Sequence, residues 1–383
     1  MHAGRALVGV VALGLSAFWW HGAPPALRGA SSSRASSSPP SALRVSGNKI
    51  VGEDGLPIQL VGMSLFHTAD RWNGAKYYNK NVVGTLVDDW KCRVVRATLS
   101  VEEDDGFLFD KKRNERVLRQ VVEAAIDRGI YVIIDFHTHQ AEHHLKQARC
   151  FFRRMARAYG SRPNVIFEIY NEPITTAWST KVDHTATPGL TVRDYAASII
   201  PVIRDHSSNL VVVGTRFYSQ HPEEAALDPL TEFDNVAYGF HFYAASHRSW
   251  LRSLAAKAML GTAYQQPDKT SATPWRTDQN PTPIPIFVTE WGTVDSRANG
   301  TPDEQSTRAW LKFLNDHHVS HVQWALEDKQ EGAAALKPGA STSGKWSKHD
   351  LTMAGDFARQ ILRRYAHGID VTNRYYFHVF DEK

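Results

Sequence analysis

Two glutamates in the sequence have the surroundings expected of catalytic carboxylates. Glu172 lies in an Asn-Glu-Pro triplet after one apolar segment, and Glu290 lies in a Thr-Glu-Trp-Gly motif after another. Hydrolysis of an acetal needs one carboxyl group that protonates the leaving oxygen and a second that meets the positive charge at the anomeric carbon. The pair therefore predicts hydrolysis of a glycosidic bond, provided that the fold brings the two side chains together.

The two carboxyl groups can take different roles only if their surroundings separate their pKa values. We expect the guanidinium of Arg96 and the hydroxyl of Tyr243 to lie beside Glu290 and to favour its charged form. The negative charge of Glu290 should then raise the pKa of Glu172. This predicts Glu172 as the proton donor and base, and Glu290 as the nucleophile.

Hydrogen-bonding, titratable or aromatic side chains also stand in or just after other apolar segments. Any one of them would be ordinary at the start of a loop, but six such segments together predict a shared active site. The residues are Arg96 in the second segment, His137 and His139 after the third, Asn171 and Glu172 after the fourth, His241 and Tyr243 after the sixth, Glu290 after the seventh and Trp324 in the eighth.

Apolar, β-branched segments alternate along the chain with segments of helical periodicity, which is typical of a parallel sheet with crossover helices. Eight such segments favour an α/β fold of the (β/α)8 TIM barrel type, with a single catalytic domain, because no Gly-x-Gly-x-x-Gly motif opens the first crossover. In such a barrel the strand ends that carry the active site converge at one mouth. The predicted strands are Ile58–Met63, Arg93–Leu99, Tyr131–Phe136, Val165–Ile169, Leu210–Gly214, Val236–Phe240, Ile286–Thr289 and His321–Ala325.

Length and composition fit a folded protein with one large domain. Of the 383 residues, 42% are hydrophobic and 22% are charged. The formal charge of +4 arises in residues 1–44, which contain four arginines and no acidic residue, while the remaining basic residues balance the 40 acidic ones. We therefore expect no nucleic-acid partner, since such proteins need a strongly basic surface. We expect a monomer.

The amino-terminal segment has the layout of a secretory signal. Ala6–Trp20 is uncharged and mostly apolar, follows Arg5 and precedes an Ala-Pro-Pro sequence. We expect residues 1–30 to be a signal peptide of a secreted protein, with an uncleaved membrane anchor as the alternative because the uncharged stretch continues to Leu27. Residues 31–42 are rich in Ser and Pro and predict a linker, 43–365 the catalytic barrel, and 366–383 an extension of unknown role.

The two cysteines, Cys92 and Cys150, allow at most one disulfide bond. Cys150 lies among apolar residues at helical spacing, so we expect a buried free thiol there. A bridge to Cys92 is the alternative.

Several segments carry a resemblance to a known family. The chain is similar to glycoside hydrolase family 5 at YVIIDFHTHQAE (131–142), PNVIFEIYNEP (163–173), VAYGFHFYAASHR (236–248) and IPIFVTEWG (284–292). It most resembles the bacterial-type endo-β-1,4-glucanase (cellulase) subfamily, which also has segments like GMSLF (62–66), VVRATLSVEE (94–103) and ALEDKQEGAAALKPGAS (325–341). The resemblance covers nearly all of 43–365, in the family's order.

The resemblance implies a TIM barrel that cleaves β-1,4-glucan with retention and uses neither metal nor cofactor. It implies Glu172 as the acid/base and Glu290 as the nucleophile. An amide beside the acid, as at Asn171, suits a hydrogen bond to the sugar 2-hydroxyl. The other positions implied are Arg96, His137, His241 and Tyr243 in the active site, Trp324 as a flat face for a sugar ring, and Lys329 and Glu331 as binders of sugar hydroxyls on the non-reducing side.

Two positions depart from the family pattern. Tyr218 stands where Trp is more common, which predicts a smaller sugar platform, and His67 stands where the family usually has Trp. We also expect His139 to contact the substrate.

Other interpretations remain open at this point. A histidine-rich segment offers zinc ligand types, which would suit a metal-dependent hydrolase; it comprises His137, His139, Glu142, His143 and His144. A barrel that binds glucan without cleaving it is a second alternative. Mannan, xylan and mixed-linkage glucan are alternative substrates for the same mechanism, because the sequence does not resolve the fine contacts that would distinguish them from cellulose.

Overall fold

The computed structural model describes residues 40–261 and 281–372. The predicted signal segment 1–30, most of the linker 31–42 and the end of the extension 366–383 lie outside these residues, so those assignments stay predictions, as do the boundaries of the barrel domain. Within the described ranges, no helix combines the length and the apolar character needed to cross a membrane.

A closed barrel of eight parallel strands forms the centre of the described structure, which confirms the predicted (β/α)8 fold. A short antiparallel hairpin of β1 (Arg44–Ser46) and β2 (Lys49–Val51) precedes it. The barrel strands follow one another in chain order, and the last pairs with the first. They are β3 (Val61–Leu65), β4 (Val94–Ser100), β5 (Tyr131–His137), β6 (Val165–Glu168), β7 (Val211–Gly214), β8 (Val236–Tyr243), β9 (Ile286–Gly292) and β10 (His321–Leu326).

Helices connect the strands and cover the outside of the barrel. The α-helices of the described ranges are α1 (Lys80–Asp88), α2 (Lys111–Asp127), α3 (Leu145–Tyr159), α4 (Val192–Arg204), α5 (Arg216–Ser219), α6 (Pro222–Leu227), α7 (Ser249–Leu260), α8 (Glu304–Asp316) and α9 (Met353–Ala366). Short 3-10 helices span Arg71–Tyr77, Ala141–His144 and Lys348–Asp350.

Two strands are three residues longer than the sequence pattern predicts. β8 and β9 continue three residues past their apolar segments, and His241 pairs with Glu290 while Tyr243 pairs with Gly292. Strand pairing uses backbone groups, so a polar side chain at the end of an apolar segment need not end the strand. The extension places His241, Tyr243 and Glu290 on rigid strands rather than on loops.

The alternation of side chains along the strands directs the polar groups into the barrel. Val94 packs in the barrel interior with Ile133 of β5, whereas Val95 and Ala97 of the same strand pack outward against the helices. Successive side chains of a strand point to opposite faces, so Arg96 points inward on the side of Val94. The interior is therefore apolar at the amino ends of the strands and charged at their carboxyl ends.

The prediction for Cys150 is wrong with respect to burial. Both Cys92 and Cys150 are free thiols, but Cys150 is exposed and Cys92 is buried. The core-facing residues of α3 include Ala148, Phe151 and Phe152. Each residue turns a helix by about 100°, which places position 150 on the outer side between two core-facing turns.

Candidate active site

Arg96 is the central cation of the barrel mouth. Its side chain is completely buried, and it is held by groups from three other strands and one loop. Its Nε donates to Oε2 of Glu168 at 2.7 Å, its Nη1 to Oε2 of Glu290 at 3.1 Å, and its Nη2 to Oδ1 of Asn171 at 2.6 Å. Nη2 also lies 3.0 Å from Oδ2 of Asp135. The predicted contact between Arg96 and Glu290 is therefore present, but Glu290 shares the guanidinium with two further carboxyl groups.

The two predicted catalytic glutamates lie side by side. One carboxylate oxygen each of Glu172 and Glu290, together with a ring nitrogen of His241, lie within 4.8 Å of one another. Both glutamates line a cleft of about 480 Å³. Retaining glycosidases hold their two carboxyl groups about 5–5.5 Å apart, whereas inverting enzymes need about 6.5–9.5 Å to admit a water molecule. The spacing of Glu172 and Glu290 therefore suits direct attack by one of the two carboxylates on the anomeric carbon.

Two imidazoles contact Glu172. Nδ1 of His241 lies 2.8 Å from Oε1, and Nε2 of His139 lies 3.2 Å from Oε2. Burial would raise the pKa of Glu172, but the hydrogen bonds of His139 and His241 outweigh it and hold that pKa well below the usual range. In the free protein Glu172 is therefore ionised.

The pKa of Glu290 is shifted in the opposite direction. Burial and the negative charge of Glu172 raise its pKa, although Arg96 and the Tyr243 hydroxyl, which donates to Oε1 at 2.7 Å, act against this. The expectation that Glu172 has the raised pKa and Glu290 the lowered one is wrong for the free protein. The contacts of Arg96 and Tyr243 with Glu290 were anticipated, but the two imidazoles beside Glu172 have the larger effect.

A hydrogen-bond chain determines where the proton of His241 lies. The hydroxyl of Thr289 lies 2.6 Å from Oε1 of Glu168 and 2.9 Å from Nε2 of His241. Burial would raise the pKa of Glu168, but the charge of Arg96 outweighs it and lowers that pKa to about 2. The ionised Glu168 accepts the hydroxyl proton, so Thr289 must accept a hydrogen bond from Nε2 of His241. A single proton is therefore shared between Nδ1 of His241 and Oε1 of Glu172.

The carboxyl groups of this buried cluster divide into two kinds. Burial raises the pKa of Asp135 well above its usual value despite the nearby Arg96, as burial also does for Glu290. Glu168 and Glu172 instead have lowered pKa values, each beside a cation. The two carboxyl groups with lowered pKa values thus lie beside the two cations of the cluster, Arg96 and His241.

Glu168 was missed as a site residue in the sequence. It is completely buried, and it links Arg96 to His241 through Thr289. The signal that could have revealed it was present, because a glutamate inside the short apolar strand β6 must find a cation or a proton. In the sequence it lies four residues before Glu172, inside the predicted strand Val165–Ile169.

Trp324 and His137 form one wall of the mouth. Their rings stack in parallel, with centroids 5.4 Å apart, and the rings of Phe66 and His67 lie within 5.4 and 6.0 Å of Trp324. Only 6% of Trp324 is exposed. The predicted flat sugar platform is thus mostly covered by neighbouring rings, and only a small part of the indole can meet a ligand. His67, which stands where the family usually has Trp, belongs to this ring cluster.

The remaining predicted binding residues lie at two places. Tyr218 lines the cleft of the two glutamates, and its ring meets that of His139 at 6.0 Å. Lys329 and Glu331 form an ion pair with 2.5 Å between Nζ and Oε2, in the loop after β10, and Nζ lies 5.4 Å from the ring centroid of Phe66.

The histidine-rich segment forms separate contacts. Nδ1 of His137 lies 2.8 Å from Asp135, and Nε2 of His144 lies 2.8 Å from Glu102. In the part of the chain that the structure describes, one group of three or more ligand side chains is close enough to surround a metal ion, and it is Glu172, His241 and Glu290. Two of these three residues, Glu172 and His241, share one proton, so the group is also accounted for by acid–base chemistry.

Comparison with known proteins agrees with the family resemblance noted in the sequence. Residues 51–330 match the model of the family described as Cellulase (glycosyl hydrolase family 5). Endoglucanase Z of Dickeya dadantii is 37% identical over 322 residues, which are 84% of this chain and 66% of that protein. The chain thus spans slightly less than two thirds of the length of this curated relative.

Solved structures agree with this comparison. A protein from Cytophaga hutchinsonii is 40% identical, with a TM-score of 0.74 over 86% of this chain and 96% of that one. The catalytic domain of an endoglucanase from Thermobifida fusca, solved in complex with cellotetraose, is 27% identical, with a TM-score of 0.70 over 84% of this chain and 97% of that one.

Proposed function

The chain belongs to glycosyl hydrolase family 5, the cellulase family, and from that membership we propose that it is a retaining endo-β-1,4-glucanase acting on cellulose or a related β-glucan. The observation that carries the proposal is the separation of Glu172 and Glu290: one carboxylate oxygen of each lies within 4.8 Å of the other, and both residues line one cleft. This spacing suits double displacement.

In the first step, an oxygen of Glu290 attacks the anomeric carbon while the bond to the leaving oxygen breaks. Glu172 gives its proton to that oxygen, and a covalent glycosyl ester on Glu290 results. In the second step, Glu172 takes a proton from water as the water oxygen attacks the anomeric carbon, and the bond to Glu290 breaks. Two inversions give net retention.

The proton that Glu172 needs is supplied by His241. In the free protein Glu172 is ionised, and the shared proton lies on Nδ1 of His241 at 2.8 Å. Transfer of this proton to Oε1 makes Glu172 a competent acid. The transfer removes the negative charge of Glu172, which raises the pKa of Glu290, together with the positive charge of His241, which lowers it, so Arg96 and Tyr243 remain the groups that favour the ionised nucleophile.

Other residues bind and orient the sugar. Arg96 orients the amide of Asn171, which we assign to the 2-hydroxyl, and the hydroxyl of Tyr243 holds Glu290. His139 and Tyr218 contact the substrate on one side of the cleft, and Trp324 contacts a ring where it remains exposed. Lys329 and Glu331 bind hydroxyls on the non-reducing side, and His137 supports Trp324 by stacking.

The chain is proposed to act outside the cell as a monomer. The layout of residues 1–30 supports export, with an uncleaved membrane anchor as the alternative, and 31–42 would link this segment to the barrel of 43–365. No role is assigned to 366–383.

The stereochemistry of the first product tests the mechanism. Proton NMR of freshly hydrolysed cellopentaose should show the β-anomer first, and only later its equilibration with the α-anomer. Initial release of the α-anomer would contradict the assignment of Glu290 as nucleophile. Rates on carboxymethylcellulose, mannan, xylan and mixed-linkage glucan, measured side by side, would identify the preferred polysaccharide.

Two controls separate the alternatives. Binding of cellopentaose without any release of reducing ends would favour the non-catalytic barrel. Loss of activity in EDTA, with recovery on addition of zinc, would favour a metal-dependent hydrolase.

A further inference from the structure

Glu327 is a buried carboxyl group that the proposed mechanism does not use. It follows β10 directly, and its exposed fraction is 1%. Among the described residues, no N–H or O–H group donates a hydrogen bond to either of its carboxyl oxygens. A buried carboxylate without a donor or a cation is costly, because water that would solvate the charge is absent.

The neighbouring cations are engaged by other carboxylates. Nζ of Lys329 lies 2.5 Å from Glu331, and Nζ of Lys76 lies 2.7 Å from Asp328. The carboxyl group that Glu327 can reach with a hydrogen bond is that of Glu331. Two carboxylates have only acceptors to offer each other, so this bond exists only if one of them carries a proton. Glu331 is paired with Lys329, which leaves the proton to Glu327.

We propose that Glu327 is a positioning residue, a permanently protonated acid that donates a hydrogen bond to Glu331 and so holds the Glu331–Lys329 ion pair in place for a sugar hydroxyl. The proposal rests on the proposed function, in which that pair binds the glucan chain on its non-reducing side. Glu327 itself touches no sugar.

The charges around Glu327 are consistent with a protonated acid. Burial raises its pKa to about 10, and Glu331 and Asp328 act in the same direction against the opposing charge of Lys329. Tyr77, on the 3-10 helix before α1, also faces Glu327, and burial and the charge of Asp328 raise the pKa of its hydroxyl. Lys76 acts mainly on Asp328, with which it is paired.

The first test compares two substitutions by their effect on substrate binding. Glu327→Gln keeps a donor of the same size, since its amide can donate to Glu331 as the acid does, and should leave the KM for cellopentaose within about twofold of the wild type. Glu327→Ala removes the donor and should raise that KM about tenfold, with a smaller change in kcat. An equal rise in KM for both substitutions would overturn the proposal.

The second test measures protonation without reference to activity. An acid whose folded pKa lies above its unfolded value holds a proton that the unfolded chain releases, so its contribution to stability falls as pH rises from about 4.3 towards 10. Gln does not titrate. The Tm of Glu327→Gln minus that of the wild type should therefore increase between pH 5 and pH 9, by about 3 °C or more.

A surface substitution serves as the matched control. Glu53→Gln removes one carboxyl group from an exposed position beside the β1–β2 hairpin, and its Tm difference should stay nearly constant over the same pH range. A flat difference for Glu327→Gln as well would overturn the proposal, even if Glu327→Ala fails to fold. The two hypotheses also fail separately: a wild type inactive on every glucan would refute the proposed function, while the Tm measurements would still decide whether Glu327 holds a proton.

Discussion

His241 and Glu172 share one proton across a distance of 2.8 Å between Nδ1 and Oε1. The other ring nitrogen of His241 is committed to Thr289, whose hydroxyl donates to the ionised Glu168. Both ring nitrogens of His241 are thus hydrogen-bonded, which fixes the orientation of the imidazole. The acid of the proposed reaction is thus a two-residue unit rather than a lone carboxyl group.

The pH dependence of activity should report this unit. Burial would lower the pKa of His241, but the nearby carboxylates of Glu168 and Glu172 outweigh it and raise that pKa to about 9. The stabilisation from His241 is complete below its unfolded pKa near 6.5 and is lost as pH rises through about 9. We expect the alkaline limb of kcat/KM to lie near this upper value in the wild type.

His241→Asn tests that expectation. Without the imidazole, Glu172 must hold the proton alone, so the alkaline limb should move to lower pH by about one unit or more. Profiles of kcat/KM from pH 4 to 10 would measure it. An unchanged limb in the variant would show that another group controls the loss of activity.

The roles of the two glutamates should separate with the quality of the leaving group. Glu172→Gln should lower kcat on carboxymethylcellulose by roughly 10²–10⁴-fold, because the leaving oxygen then departs without a proton. A second substrate, 2,4-dinitrophenyl cellobioside, has a leaving group that needs no protonation, so Glu172→Gln should still release a burst of dinitrophenolate from it. Glu290→Gln should give no such burst, since no ester can form. Equal burst amplitudes in the two variants would contradict the assignment, and circular dichroism would confirm that both are folded.

Replacing the ionised Glu168 should destabilise the protein more than replacing Asp135, whose pKa is raised. Glu168 is ionised beside Arg96, so Glu168→Gln leaves the guanidinium short of a charge and should lower the free energy of unfolding by about 3–5 kcal/mol. Burial raises the pKa of Asp135, which weakens the case for a full charge there, so Asp135→Asn should cost less, about 1 kcal/mol. Urea denaturation at pH 7 would measure both. A larger loss for Asp135→Asn than for Glu168→Gln would reverse the proton assignment.

The exposed ring of Tyr218 should contribute to binding of long substrates. Tyr218 has a φ of 59°, and its neighbours Phe217 and Ser219 are also left-handed, which projects the aromatic side chains towards the cleft. Tyr218→Ala should raise the KM for cellohexaose roughly threefold to tenfold, through loss of ring stacking. Tyr218→Trp should lower it, because the indole offers a larger face.

A control for this effect lies at the other end of the barrel. Leu56 is 65% exposed and lies next to the hairpin near the amino ends of the strands. Leu56→Ala should leave the KM for cellohexaose unchanged. A KM unaffected by Tyr218→Ala would remove Tyr218 from the binding surface.

The sequence alone predicted the barrel and its two catalytic glutamates. All eight predicted strands are present, because alternating apolar and helical segments reflect burial, which acts on each segment separately. Glu172 and Glu290 could be paired across the mouth because a closed parallel barrel collects the carboxyl ends of its strands at one edge. That inference needs only the order of the elements.

The tertiary structure alone decided the protonation states and the exposure of particular side chains. The pKa values of Glu172 and Glu290 differ in the direction opposite to the expectation, because His139 and His241 approach Glu172 from two different strand ends. Glu168 and Glu327 acquire their roles in the same way, from neighbours supplied by distant segments. Electrostatic energies depend on distances of a few ångströms between specific atoms. The periodicity of a sequence specifies which face a residue occupies, but it does not specify which charge will stand opposite.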